Sequence, residues 1–172
     1  CDAEWDLGIV ATPVHRIAAE VHRLAEASRP GTLITDVGSV KEDVCRSASL
    51  GLPEGIRFVG SHPLAGSEKN GFEFSDPNLL DGRVTIVTPL GSSQTEAADE
   101  VTAFWQSLGS VVHMLDVETH DRALALTSHL PHVVAAALAS LLSEELRPFA
   151  ATGFRDTTRI AAGDPDLWVS IL

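Results

Sequence analysis

Lysine is almost missing from this chain: Lys41 and Lys69 are the only two. Bases number 12 against 24 acids, for a formal net charge of −12, and that deficit argues against nucleic acid or an anionic membrane surface as a partner. Any anionic small molecule has to be drawn in by a local basic cluster working against the overall field, and both lysines fall in polar loops where such a cluster could form. Cysteine is scarce too. Cys1 and Cys45 have neither metal-ligand spacing nor a disulfide-framework pattern, so reduced thiols in the cytoplasm are expected. No apolar run approaches the roughly 18 residues of a membrane span, and no span is expected. The segment Cys1-Asp2-Ala3-Glu4-Trp5-Asp6 lacks both the basic and the apolar region of a signal peptide. It also lacks an initiating methionine, which leads us to expect that the gene begins further upstream.

What remains is a chain of 172 residues that is 44% hydrophobic, enough for one ordinary domain or two small ones with a real core. Residues 7–11 form a short apolar run suited to a buried strand. Thr12 reads as a helix N-cap with Pro13 in the first helical position, and Ile17, Val21, Leu24 and Ala25 then recur at helical spacing. Arg29-Pro30-Gly31 ends that helix. Residues 32–37 read as the next buried strand, and Gly38-Ser39-Val40-Lys41 turns into a helix over 42–50. Further strand-like runs occupy 56–59, 84–88 and 111–115. An irregular connection covers 76–83, and an amphipathic helix over 95–108 carries Val101, Phe104, Trp105 and Leu108 on one face. Strands alternating with helices imply an α/β fold with parallel pairing, in which ligands sit outside the carboxyl ends of the strands. Thr12, Asp36, Ser39 and His62 all fall at such ends.

The stretch from Gly60 to Gly71 stands out because a packed core does not ask for its composition. Three glycines permit tight turns and close backbone approach. His62 has an ordinary pKa of about 6.5, Pro63 fixes the backbone beside it, and Ser67, Glu68 and Lys69 follow within a few residues. From Val117 onward the strand patterns stop. A long alanine-rich helical pattern over 120–143 contains Pro131, which removes a bond to the Thr127 carbonyl and should kink the helix. Ser128, His129 and His132 flank that point, with Ser128 and His132 four apart on one face. Arg147-Pro148 breaks the pattern, and 151–159 reads as a Gly- and Thr-rich turn carrying Arg155 and Arg159. Gly163-Asp164-Pro165 reads as a helix stop followed by an N-cap and a first-turn proline, opening a last helix that holds Trp168.

Three chemistries compete for these residues. His129 and His132 have helical spacing, but no carboxylate or cysteine supports them as metal ligands. Ser39 or Ser128 could serve as a nucleophile, but no Gly-x-Ser-x-Gly elbow is present. The third is an acid–base site for a small anion. In it His62 takes a proton, Ser39 and Ser128 supply hydrogen bonds, and Arg159 or Arg155 clamps a carboxylate in the bidentate geometry suited to arginine. Arg159 could equally pair with Asp156 on its own helix.

Five segments together resemble the prephenate dehydrogenase family: Val10-Ala11-Thr12-Pro13-Val14, Asp36-Val37-Gly38-Ser39-Val40-Lys41, Gly60-Ser61-His62-Pro63-Leu64-Ala65-Gly66-Ser67-Glu68, Ser128-His129-Leu130-Pro131-His132 and Phe154-Arg155-Asp156-Thr157-Thr158-Arg159-Ile160. They occur in the family's order, and Asp164-Pro165-Asp166-Leu167-Trp168 matches as well. The resemblance implies oxidative decarboxylation of prephenate to 4-hydroxyphenylpyruvate in tyrosine biosynthesis, with hydride passing to NAD or NADP. It implies His62 as the acceptor of the ring hydroxyl proton and Ser39 beside the nicotinamide. Arg159 would sit on a substrate carboxylate, with Ser128, His132, Glu68 and Ser67 shaping the pocket, and Thr12 and Pro13 would line the cofactor cleft. A cytoplasmic homodimer built through a helical domain follows from the same resemblance.

The chain departs from that family in one large respect: no Gly-x-Gly-x-x-Gly turn is present to hold a pyrophosphate at a helix N-terminus. The expectation is therefore an interior piece of a longer protein. It would hold the C-terminal part of a Rossmann-type domain to about Asp116, then part of an all-α substrate and dimerisation domain, and would bind cofactor poorly by itself. Arogenate dehydrogenase, whose substrate differs by a side-chain amino group, is the rival activity. A non-catalytic remnant is the rival from another class.

Overall fold

The computed structural model describes residues 5–66, 72–169 and 171, without the side chains of 72, 166 and 167. The chain divides into two compact units, Cys1–Asp121 and Arg122–Leu172. In the first, strands β1 (Leu7–Val10), β2 (Leu33–Asp36) and β3 (Arg57–Phe58) pair in parallel in that order. Parallel neighbours need a crossover, and helices α1 (Val14–Glu26) and α2 (Glu42–Ser49) provide the two. Strands β4 (Gly60–Pro63), β5 (Val84–Thr88) and β6 (Val111–Met114) form a second ladder with β5 in the middle, and α3 (Thr95–Ser107) crosses from β5 to β6.

The alternation of the sequence is answered by a two-sided core. Neighbours on β2 point to opposite faces. Ile34 packs with Ile17, Val21 and Ala25 of α1 and with Val44 and Ala48 of α2. Leu33 packs with Val59, Val87 and the α3 residues Ala97, Ala98, Val101 and Trp105. Burying one such aliphatic side chain contributes about 1.5–3 kcal/mol, and Ile17, Val21 and Ala25, four apart, form the single stripe that holds α1 on the sheet. On α3 the expected face is corrected at one position: Leu108 lies past the end of the helix and is exposed.

Two local expectations are corrected near the amino end and in the centre. Thr12 is not the N-cap of α1; Pro13 holds that position with φ −51° and ψ 144°, and its carbonyl accepts the Arg16 N–H at 2.8 Å. His62 does not lie in a loop. Residues 60–63 form β4, antiparallel to β5, with His62 opposite Ile86. The physical reason is the connection: among the described residues only a short 3-10 turn, Phe72–Phe74, lies between β4 and β5, and an antiparallel return needs no α-helical crossover. Gly60 is required where the chain passes from β3 to β4, because a Cβ there would run into Cys45 Sγ and Thr88 Oγ1.

The second unit is helical. Helix α4 (Val117–Leu124), which begins in the first unit, leads into a π-helical turn at Ala125–His129 and then α5 (Leu130–Ser140). Pro131 thus stands in the first turn of α5, within the continuous helical run Val117–Ser140. The π-helical turn just before it stands where the proline kink is expected. It also alters the spacing assumed for Ser128 and His132, since a π turn advances more residues than an α turn. The helix stops at Ser140, short of residue 143, and Arg147-Pro148 lies in a separate 3-10 turn, Glu144–Phe149. Residues 152–158 form a helix, α6 (Thr152–Thr158), where a turn was expected. There Thr157 and Thr158 hydroxyls donate to the Gly153 and Phe154 carbonyls at 2.8 Å. A 3-10 turn, Arg159–Ala162, and α7 (Pro165–Val169) complete the unit.

The run Val117–Ser140 corrects a further expectation. It spans 24 residues and is long and apolar enough to cross a membrane by length and composition alone, a test that core helices of soluble proteins also pass. Its Leu126, Leu130, Val133 and Val134 are exposed.

Candidate active site

In the first unit the expected residues gather along the carboxyl ends of β1 and β2. Val10 and Asp36 are the last paired residues of the two strands, so Thr12 and Ser39 leave the sheet at the same edge. Ser39 is half-buried in the turn before α2. Pro13 is exposed. The Thr12 hydroxyl oxygen is buried and has no hydrogen-bond partner among the described residues, a state that costs about 1–3 kcal/mol unless a ligand atom satisfies it.

Beneath this edge lies a polar knot that a Rossmann-like sheet would normally fill with aliphatic side chains. Asp36 and Lys41 are both wholly buried and form an ion pair. The Asp36 carboxylate also accepts the Gly38 N–H at 2.8 Å and the Ser61 N–H at 3.1 Å, while Lys41 Nζ donates to the Ser61 carbonyl at 3.1 Å. The Ser61 hydroxyl donates to the Asp36 carbonyl at 2.6 Å and meets Trp105 Nε1 at 3.0 Å and Thr35 Oγ1 at 2.9 Å. Ser61 is therefore held on every side, and His62 follows it. Lys41, expected in a polar loop where it could meet an anion, is consumed by this knot and is inaccessible to a ligand.

His62 is 8% exposed and lies with His120, which is fully buried. His62 Nδ1 and His120 Nε2 are 2.9 Å apart, with ring centroids at 5.1 Å. On the far side, His120 Nδ1 meets Asp121 Oδ1 at 2.7 Å. The Asp121 carboxylate accepts the backbone N–H groups of Lys41 and Glu42 at 2.8 and 2.9 Å. Burial works against its charge, but the His120 ring and the Glu42 and Lys41 amides outweigh it and hold the carboxyl below its ordinary pKa. Neither His120 nor Asp121 stands out in the sequence, where they read as the polar start of a helix.

In the second unit, His132 stacks on Trp168 with centroids 3.5 Å apart and planes 14° from parallel, and His129 meets the same indole edge-on at 6.2 Å. His132 is buried, its Nδ1 has no partner among the described residues, and burial pushes its pKa below the ordinary value. A histidine held neutral in the fold costs stability once the unfolded chain begins to protonate, below about pH 6.5. Urea midpoints of the second unit should therefore fall from about pH 7.5 to about pH 5.5 (roughly a unit to either side of that value). His132→Phe, which keeps the stack and removes the titration, should flatten the fall; an unchanged slope would contradict it. Ser128 is half-buried in the π-helical turn. Arg159 is exposed at the end of α6 and has no ion-pair partner among the described residues, Asp156 included. Ser67 and Glu68 lie outside the described residues, as does Lys69.

Comparison with known proteins identifies the family. Residues 2–114 match the family model of the prephenate dehydrogenase nucleotide-binding domain, and residues 116–172 that of its dimerization domain. The chain belongs to the prephenate dehydrogenase family. Within the family, the prephenate dehydrogenase of Bacillus subtilis is 37% identical over 95% of this chain and 46% of its own length. A crystal structure of prephenate dehydrogenase from Aquifex aeolicus, in complex with hydroxyphenyl propionate and NAD+, superposes with a TM-score of 0.88 at 35% identity, covering 96% of this chain and 59% of that one. The structure of Synechocystis arogenate dehydrogenase gives 0.81 at 29% identity, covering 96% and 62%. The chain spans between 30% and 60% of the length of the curated relatives it matches. The fold expected from the sequence, part of a Rossmann-type α/β domain followed by part of a helical one, is the fold of these family members.

Proposed function

We propose that this chain carries the proton-accepting and substrate-binding residues of an enzyme that oxidatively decarboxylates prephenate to 4-hydroxyphenylpyruvate in the cytoplasm, with NAD or NADP as hydride acceptor. Family membership supports the reaction. The observation that carries the chemistry is His62: nearly enclosed on β4, bonded through one ring nitrogen to His120, and therefore oriented rather than solvated. As the hydroxyl-bearing ring carbon becomes a carbonyl, its O–H proton passes to an imidazole nitrogen of His62, and a positioned base of this kind contributes about 10²–10⁴-fold. The bound nicotinamide supplies the hydride acceptor. Aromatisation of the ring drives off carbon dioxide, so no separate decarboxylating group is required.

The buried Thr12 hydroxyl and the Pro13 turn, with Ser39 at the carboxyl end of the neighbouring strand, fit a dinucleotide lying across that edge. Ser39 sits near the nicotinamide and helps orient His62 or the substrate hydroxyl. By the family resemblance, Arg159 would bind a substrate carboxylate, with Ser128, His132, Ser67 and Glu68 as further substrate contacts. The domains divide near Asp116. A homodimer forms through the helical part, covering Leu126, Leu130, Val133 and Val134, rather than a membrane contact. Arogenate is the second reading of the substrate, favoured by the match to an arogenate dehydrogenase.

Purified full-length protein assayed with prephenate and arogenate, each with NAD and NADP, tests the reading. Turnover of one of these acids is expected, and none with either would overturn it. Arg159→Ala should raise KM by roughly 10- to 150-fold, the loss of about 1.5–3 kcal/mol of charge-assisted hydrogen bonding. A fall in kcat alone, with KM unchanged, would remove Arg159 from the carboxylate.

A further inference from the structure

We propose that His120 and Asp121 are positioning residues that fix the tautomer of His62, so that Nε2 rather than Nδ1 receives the substrate proton. The inference rests on the reading of His62 as the base, and it assigns the base's reacting atom and the residues that select it.

The direction of the relay follows from its far end. The backbone N–H groups of Lys41 and Glu42 can only donate, and both point at the Asp121 carboxylate, at 2.8 and 2.9 Å. Asp121 is thus an acceptor held ionised at the first turn of α2, where unpaired amides favour negative charge. Its Oδ1 also faces His120 Nδ1 at 2.7 Å. That nitrogen must carry the hydrogen, because two acceptors cannot share a bond. A neutral imidazole holds one N–H, so His120 Nε2 presents a lone pair. His62 Nδ1 stands 2.9 Å from that lone pair and must donate to it. The lone pair of neutral His62 is then on Nε2. The reverse direction, with His62 Nδ1 accepting, needs a second proton on the completely enclosed His120 ring and so an ion pair with Asp121 there, where desolvation offsets the attraction between the charges.

The consequence for the reaction is balanced and local. The substrate O–H bond breaks and an N–H bond forms at His62 Nε2, while Nδ1 keeps its own hydrogen and its bond to His120. The positive charge that develops on His62 faces, through one neutral ring, the negative charge of Asp121. The proton rests on His62, and neither His120 nor Asp121 changes its protonation. A base whose partner sets its tautomer and whose partner is in turn held by a carboxylate follows the general logic of an oriented acid–base group. The same carboxylate ties the reacting histidine to the start of α2, three residues after Ser39.

Nitrogen-15 NMR of the full-length protein, with histidine labelled and His62 assigned by substitution, reads the tautomer without disturbing the relay. Hydrogen on Nδ1 and none on Nε2 is expected for neutral His62; hydrogen on Nε2 would overturn the proposal. His120→Ala should lower kcat about 10- to 100-fold, part of the contribution of a positioned base, with KM nearly unchanged. His120→Gln, whose amide oxygen can accept from Nδ1, should recover much of that loss. Equal loss in both variants would mark His120 as merely structural and overturn the inference. His62→Asn is measured alongside. Its failure with normal His120→Ala turnover overturns the relay alone, whereas normal turnover of His62→Asn overturns the base and the relay together.

Discussion

Turnover of prephenate by the full-length protein should fall by roughly 10²-fold or more on His62→Asn, the usual scale of a general base, with KM close to its original value. Asparagine preserves a donor at the position of Nδ1, so the link to His120 and the packing of β4 survive while the proton acceptor is lost. The steady-state split distinguishes the two outcomes: loss confined to kcat marks an interaction made in the transition state, and a rise in KM with kcat intact marks ground-state binding. Near-normal turnover would remove His62 from the chemistry. The position of His62 makes this a demanding test. It is 8% exposed on β4, between a strand partner and a second histidine, so a substitution that leaves the fold intact reports on the ring itself.

The largest stability effect is expected at the buried ion pair. Lys41→Met should lower unfolding free energy by about 3–5 kcal/mol, since it strands the Asp36 carboxylate without its cation in a fully enclosed site. Restoring neutrality by adding Asp36→Leu should not recover the loss, because Asp36 also receives the Gly38 and Ser61 N–H groups, and these would be left without partners. Urea unfolding of the two variants measures both claims. A Lys41→Met cost below about 1 kcal/mol, the range of an exposed pair, would mean the pair is not closed to water. The arrangement has a structural use. The carboxyl end of β2 must meet β4 through polar backbone, and the Asp36–Lys41–Ser61 knot supplies the donors and acceptors that close it.

The elements carried by hydrophobic periodicity were legible in the sequence. β1, β2, β5 and β6 lie where short apolar runs lie, and α1 and α3 follow stripes such as Ile17–Val21–Ala25 and Ala97–Val101–Trp105. β4 was not legible, because Gly60-Ser61-His62-Pro63 alternates nothing apolar. Its polar side chains are satisfied by Asp36, Thr35, Trp105 and His120, which a linear pattern does not reveal. Helix α6 was hidden by its glycine and threonines, whose hydroxyls are taken up by carbonyls one turn back. Thr12 and Ser39 beyond the strand ends, and His62 inside β4, were visible as unusual polar insertions. His120 was not. It stands 58 residues from His62 in sequence, and nothing in the pattern of a polar first turn signals a contact over that distance. Lys41 was conspicuous as one of two lysines, yet its role became clear only with its burial.

The most direct test of the account is the stoichiometry of one reaction: reduced nicotinamide, 4-hydroxyphenylpyruvate and carbon dioxide formed from prephenate by full-length protein of verified intact mass. The account predicts all three in equal amounts, lost together in His62→Asn. Protein that binds nicotinamide yet reduces none with prephenate or arogenate would contradict it, and would make the His62 site a binding site without the oxidation proposed.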